Sequence, residues 1–156
     1  MFKKSMIAVK TDNLDPEQLI AKLTPQIDVF ILIAILKNPN ITQKVLMHAL
    51  TCLSINDSLG LPSIAENHKA TPEVLIKIVK HPKVGMNSLN AIINNPNINN
   101  PVLMHILESP KINQYEFMLI KIANLAIANE EVLSKVIQIT QTKNFKNKHL
   151  APRSAG

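Results

Sequence analysis

The sequence contains few aromatic residues, one cysteine, three glycines and one arginine, and each shortage limits what the protein can be. Aromatic residues make up 3% of the 156-residue chain, so its core must consist mainly of Ile, Leu and Val. The single cysteine, Cys52, cannot form an intramolecular disulfide or build a thiolate metal or iron–sulfur site alone. Three glycines are too few for a phosphate-binding loop of the usual form. The apolar content of 46% nevertheless predicts a globular protein with a sizeable core.

Recognisable targeting signals are also missing. The longest apolar run, Val29 to Leu36, is far shorter than a membrane span and predicts a buried helix. The N-terminal run begins with basic residues, but its apolar part is too short for a secretory signal. We therefore expect a cytoplasmic protein in a reducing compartment, and export by a non-classical route as an effector stays open. The abundance of Asn, Ile and Lys is compatible with an AT-rich bacterial genome.

One phrase occurs twice in the chain, as NPNITQKVLMHAL (38–50) and NPNINNPVLMHIL (95–107). Prolines repeat the same pattern with a period of fourteen residues, at Pro25 and Pro39 and again at Pro82, Pro96 and Pro110. A fixed period of this kind indicates a repeat architecture. The unit consists of a small polar residue, proline, any residue, an aliphatic residue, a capping residue and then an apolar segment.

The capping residue is what makes the unit a helix. Asp, Asn and Thr side chains accept hydrogen bonds from the free amides of a helix's first turn, and glycine is tolerated there. Apolar residues before the cap and four after it have the spacing of a hydrophobic staple. The predicted N-caps are Asp15, Asp28, Thr42, Asp57, Thr71, Gly85, Asn99, Asn113 and Asn129.

Each unit therefore predicts one helix of about nine residues, which is too short to be stable without neighbours. The helices after Thr42, Thr71, Asn99 and Asn129 share a Val-Leu pair, and we call them the Val-Leu helices. The helices between them lack the pair, and we call them the alternate helices. The sequence thus predicts an all-α solenoid (superhelix) of about nine short helices in helix-pair repeats of 28 to 30 residues. It would fill residues 1–142, with a basic, flexible tail at 143–156 and a distorted helix near Gly60.

The segments NPNINNPVLMHILESP and NHKATPEVLIKIVKHP resemble the leucine-rich repeat variant family, whose signature is an Asn-Pro step followed by a short helix containing Val-Leu. The resemblance covers about residues 14 to 140 and extends more widely to HEAT and armadillo arrays. It implies a right-handed solenoid of short helices that serves as an interaction scaffold. The helix pair here is longer than the family's repeat. Some members carry an iron–sulfur cluster, and the cysteines for one are absent from this sequence.

The Val-Leu helices carry basic residues at one shared position. We call this set the basic stripe, and it consists of His48, Lys77, His105 and Lys135. One interpretation is that these residues are only the solvated side of amphipathic helices. The other is that the stripe meets an acidic surface of a partner protein or peptide.

The sequence predicts no enzyme, cofactor or metal site. It contains no HExxH motif, no Gly-x-Ser-x-Gly elbow and no pair of carboxylates at active-site spacing. The apolar neighbours of Cys52 predict a buried structural thiol. His68 and His81 are predicted to be polar turn residues, and the repeat spacing places His48 and His105 too far apart to share a metal.

Two kinds of partner remain. We expect the inner groove of the array to bind another protein or peptide, with Asn-rich connections such as Asn94-Asn95 either forming turns or adding hydrogen bonds to the partner. Association with nucleic acid through the basic face and tail is the alternative, since the net charge is +6. Few aromatics and a single arginine argue against it. Homodimers through the array ends, at the helices after Asp15 and Asn129, are a further prediction.

Overall fold

The computed structural model describes residues 13–53, 59–125 and 127–150, and within these ranges the fold is all-α, without strands. This confirms the all-α part of the prediction. The chain divides into two compact units, Met1–Asn97 and Ile98–Gly156. The first unit contains α1 (Pro16–Lys22), α2 (Val29–Leu36), α3 (Gln43–Cys52), α4 (Gly60–Ala65), α5 (Pro72–Val79) and α6 (Met86–Ile93). The second contains α7 (Asn100–Glu108), a 3₁₀ turn (Pro110–Gln114), α8 (Glu116–Ala123) and α9 (Glu130–Leu150).

Six of the predicted N-caps are confirmed by hydrogen bonds from their side chains. Asp15 forms a complete capping box with Gln18. The others accept from the backbone N–H two or three residues later, and they are Asp28, Thr42, Thr71, Asn99 and Asn129. Gly85 is also an N-cap, as predicted, but has no side chain to accept a hydrogen bond.

The predicted cap at Asn113 is wrong. Ser109 and Pro110 start the 3₁₀ turn instead, with the Ser109 hydroxyl accepting the N–H of Lys111 at 3.4 Å. The backbone N–H groups of Ile112 and Tyr115 then bond to the carbonyl oxygens three residues earlier, as in a 3₁₀ helix. Helix α8 therefore begins after Tyr115, and Asn113 is left exposed.

Helix α4 is the shortest of the described helices, at six residues, and its N-cap Leu59 makes no side-chain cap bond. This agrees with the distorted helix expected near Gly60. The predicted cap Asp57 lies outside the described residues. Leu61 and Ile64 are buried nonetheless, so α4 keeps the apolar face that the repeat assigns to it.

Helix α9 differs most from the predicted repeat, because it is 21 residues long rather than about nine. The boundary expected at residue 142, between the repeats and a flexible tail, falls inside this helix. The backbone of residues 143–150 is helical, and residues 151–156 lie outside the described part.

Within the first unit, helices pack on their second neighbours along the chain: α3 contacts α1 and α5, whereas α4 contacts α2 and α6. Successive helices touch as well, since α4 contacts α3 and α5, and α5 contacts α6. The core of this unit is aliphatic. Its largest fully buried side chains are Leu19, Leu32, Ile35, Leu46, Ile64, Leu75, Ile78, Leu89 and Ile92. Burial of each such side chain contributes about 1.5–3 kcal/mol, which is what stabilises helices this short.

In the second unit α9 packs on both α7 and α8, and the 3₁₀ turn contacts α7 and α8. The Val-Leu pair contributes Val102 and Leu103 from α7 to this unit's core, together with Val132 from α9. Leu133 of the second pair is exposed, at 36%.

A hydrogen-bonded turn follows each of the alternate helices α2, α4 and α6. The Oδ1 atoms of Asn38, Asn67 and Asn95 accept the N–H two residues later at 2.7, 2.8 and 2.8 Å, which closes an Asx turn. The side-chain amide of Asn67 also donates to the Leu36 carbonyl at 2.7 Å. Asn95 donates in the same way to Ala65. Asn67 and Asn95 thus each close one turn and tie it to the end of an earlier helix.

Candidate protein-interaction surface

The four residues of the basic stripe occupy one register position, six residues after the N-caps of α3, α5, α7 and α9. Lys77 is exposed, and the other three are partly exposed. In the first unit His48 and Lys77 stand on the packed helices α3 and α5. In the second unit His105 and Lys135 stand on the packed helices α7 and α9.

Acidic groups close to the stripe in the first unit are already engaged. Lys44 Nζ forms a 2.7 Å ion pair with Glu17 Oε1 between α1 and α3. Gln43 Nε2 donates to Glu73 Oε2 at 2.7 Å between α3 and α5. Glu73 precedes Lys77 by one helical turn, yet among the described contacts its carboxylate is bound by Gln43. The ammonium group of Lys77 makes no ion pair within the described residues and faces solvent.

In the second unit, among the described residues, the stripe makes one contact with an acidic side chain. His105 Nδ1 lies 3.5 Å from Glu108 Oε2, one turn later on α7. Lys135 makes no ion pair within the described part of the chain.

Apolar side chains accompany the stripe. The residue before each stripe position is Met47 on α3, Ile76 on α5 and Met104 on α7, and all three are partly exposed. The fourth is Ser134 on α9, which is exposed. The solvent side of α3, α5 and α7 therefore combines a basic position with an adjacent apolar one, as protein-binding surfaces commonly do.

Two grooves were not predicted from the sequence. The α2–α4 groove, of about 750 Å³, lies between the C-terminal ends of these helices and includes Ile33, Lys37 and Lys69. The α7–α9 groove has a volume of about 510 Å³. Its lining residues are Leu107, Glu108, Ser109, Pro110, Asn113, Lys135, Gln138, Ile139, Thr142 and Lys143. The sequence contains no signal for this second groove, because Ser109-Pro110 fits the fourteen-residue pattern and is seen to begin a 3₁₀ turn only in the structure.

Two of the four phenylalanines occupy equivalent exposed positions, two residues after the N-caps of alternate helices. Phe30 on α2 is 75% exposed and Phe117 on α8 is 49% exposed. Ile120, one turn after Phe117, is exposed too. These residues were not predicted from the sequence, because Phe117 stands four residues after the expected cap Asn113 and two residues only after the observed N-cap Tyr115.

Three other residues with reactive or metal-binding side chains lie at a helix end or in turns: Cys52, His68 and His81. Cys52 is buried at the end of α3, as predicted. His68 is exposed in the turn after α4. His81 Nδ1 accepts the Lys83 N–H at 3.2 Å and so performs in its turn the role that Asn plays elsewhere. Burial, and then the charge of Lys83, lower the pKa of the His81 imidazole, which favours the neutral ring that this bond requires.

Neither a metal site nor a membrane span is found among the described residues. Within them no three His, Cys, Asp or Glu side chains are grouped as a metal site would require. None of the described helices has both the length and the apolar character for crossing a membrane.

Comparison of the chain with protein-family models, curated proteins and solved structures found no match.

Proposed function

We propose that the protein is an α-solenoid built from helix-pair repeats and acts as a non-catalytic scaffold that binds another protein through the basic stripe. The observation that carries the proposal is Lys77, an exposed and unpaired cation beside the partly exposed Ile76 on a helix stabilised by its neighbours. His48 and Met47 repeat this combination on the packed helix α3.

The surroundings of the stripe favour an acidic partner. Glu17 forms an ion pair with Lys44, and Glu73 Oε2 accepts a hydrogen bond from Gln43, so neither carboxylate forms an ion pair with Lys77. An incoming carboxylate would gain a charge-assisted contact, and the adjacent apolar side chains would add buried area. Complementary charge of this kind contributes mainly to specificity and to the rate of association.

The test is affinity capture from native lysate, with and without nuclease, using wild-type protein and a Lys77→Glu/His105→Glu variant. The matched control is Lys83→Glu, which reverses an exposed charge in the turn after α5, away from the stripe position. Proteins retained by wild type and by the control, but lost with the stripe variant at unchanged helical circular dichroism, are the expected result. Equal capture by all three proteins would contradict the proposal.

Nucleic acid is the other outcome that this experiment separates. Capture that disappears with nuclease, together with a steep loss of affinity for single or double strands as salt is added, would point to phosphate contacts instead. The described residues include no arginine, because Arg153 lies outside them. Arginine is the side chain best suited to bidentate phosphate binding, so the described surface favours a protein partner.

A further inference from the structure

The α7–α9 groove lies where the fourteen-residue repeat is interrupted. Because the 3₁₀ turn replaces the expected start of α8, Asn113 is free of a capping role and lines the groove. The opposite wall is α9, which supplies Lys135, Gln138 and Lys143. The volume of about 510 Å³ is within the range of roughly 300–1,000 Å³ that is common for ligand pockets.

The charges lining this groove favour an anionic occupant. Lys135 and Lys143 are both partly exposed, and neither forms an ion pair within the described residues. The one acidic side chain in the lining is Glu108, whose Oε2 lies 3.5 Å from His105 Nδ1 and thus near a side chain outside the lining. The groove therefore presents two unpaired cations against one carboxylate.

The spacing of the lysines defines the length of the occupant. Lys135 and Lys143 are eight residues apart on α9, which corresponds to about 12 Å along a helix axis. In an extended chain, residues i and i+4 are about 13 Å apart and their side chains point to the same side. The side chain of residue i+2 points to that side as well. In the groove, Ile139 lies midway between the two lysines along α9.

We propose that the α7–α9 groove binds an extended segment with two acidic residues four positions apart and an aliphatic residue midway between them. This deepens the proposed function, on which it rests, by naming the chemistry of one bound segment. Leu107 and Ile139 accommodate the aliphatic side chain, and the amides of Asn113 and Gln138 offer hydrogen bonds to its backbone. A polypeptide fits this lining better than a nucleic acid, since the described lining residues include no arginine or aromatic side chain for phosphates and bases.

The probe is a fluorescein-labelled peptide containing Glu-Ala-Leu-Ala-Glu between glycine flanks, titrated with the full chain and followed by fluorescence anisotropy. A Gln-Ala-Leu-Ala-Gln peptide controls for charge, a Glu-Ala-Ser-Ala-Glu peptide for the aliphatic residue, and a single-stranded oligonucleotide for nucleic acid. Saturable binding of the first peptide, with weaker binding of the other three probes, is expected.

The variants locate the binding. Replacing one lysine, as in Lys143→Gln or Lys135→Gln, should weaken peptide binding by about threefold to fivefold, as expected for the loss of a partly exposed charge contact. Glu108→Gln should strengthen it, because the competing carboxylate is removed. Lys77→Glu, in the first unit, should leave peptide affinity unchanged. Circular dichroism checks that the partly exposed substitutions preserve the fold.

Absence of binding, equal binding of the acidic and amide peptides, preference for the oligonucleotide, or insensitivity to both lysine variants would overturn the groove proposal. The proposed function fails separately, if Lys77→Glu/His105→Glu captures the same proteins as wild type. If the peptide fails while the stripe variant still loses its partners, only the groove is excluded.

Discussion

The side-chain amide nitrogen of Asn95 lies 2.7 Å from the carbonyl oxygen of Ala65, thirty residues earlier in the chain. The same nitrogen lies 3.0 Å from the Asn67 carbonyl, and Asn95 Oδ1 accepts the Asn97 N–H at 2.8 Å. Asn95 is only 3% exposed. One buried amide thus closes its own turn and satisfies the carbonyl groups of the preceding one.

Substitution of Asn95 should therefore lower the free energy of unfolding. Asn95→Ala leaves the Ala65 carbonyl without this donor in a buried setting, so we expect a loss of about 2–4 kcal/mol in the free energy of unfolding. Urea denaturation followed by circular dichroism at 222 nm measures it. The control is Asn94→Ala, one position earlier and exposed, which should change stability by about 0.5 kcal/mol or less. Similar losses for both variants would contradict the role assigned to Asn95.

Gly85 offers a position where the protein can be stabilised. Its backbone is extended, with φ −135° and ψ −174°, close to the −143° and 173° of the cap Asn99. No atom lies within 4 Å of a Cβ built at this glycine. Gly85→Asn should add a cap hydrogen bond and restrict the unfolded chain, for a gain of about 0.5–1 kcal/mol.

The measurement is the urea midpoint of Gly85→Asn against that of wild type. Gly85→Ala is the matched control, because it restricts the unfolded chain without supplying a cap acceptor. The asparagine variant should be the more stable of the two. A midpoint equal to or below that of Gly85→Ala would show that the cap bond does not form.

His81 should make stability depend on pH. Burial and the neighbouring Lys83 lower its pKa in the folded protein, so the unfolded state binds the proton more readily. The contribution of the neutral ring is therefore complete above the unfolded pKa of about 6.5 and declines as pH falls below that value toward the lower folded pKa. Protonation also removes the Nδ1 lone pair that accepts the Lys83 N–H.

The variant His81→Asn isolates this effect. Asparagine supplies the same kind of side-chain acceptor as Asn67 and Asn95, but it does not titrate. When the pH is lowered from 7.5 to 5, the urea midpoint should fall more for wild type than for the variant. An equal fall in both proteins would exclude His81 as the source of the pH dependence.

The ion pair between Lys44 and Glu17 should contribute little to stability. Its side chains are 69% and 72% exposed, so water and salt screen their attraction. Lys44→Ala is expected to lower the free energy of unfolding by about 0.5 kcal/mol or less at physiological salt. A loss above about 1 kcal/mol, measured by urea denaturation and persisting at high salt, would indicate a packing role for the lysine stem.

The sequence predicted the positions of helices best where local chemistry decides them. Thr71 and Asn99 accept from amides three residues away in the chain, so the residues needed for each cap lie within one turn. Asn113 has the same side-chain chemistry and the same spacing from the preceding proline. In the structure, however, a 3₁₀ turn that begins at Ser109 and Pro110 forms there instead of the expected helix start. Two local signals competed there, and the sequence pattern alone did not indicate which would prevail.

The basic stripe was also readable from the sequence, because its members share a distance from their caps. The grooves were not, since each is formed by residues of two helices that meet only after packing. The lining of the α7–α9 groove joins Asn113 to Lys135 and Lys143 through contacts between the 3₁₀ turn, α7 and α9 rather than through periodicity.

The sequence by itself determined that the described chain is helical, where most helices begin, and which residues face the core, because caps, proline steps and apolar periodicity act over three or four residues. Only the tertiary structure decided that Asn95 reaches Ala65, that α8 starts at Glu116, and that α9 continues to Leu150. Those outcomes depend on which distant groups compete for the same donors and the same buried area, and that competition has no counterpart in the repeat spacing.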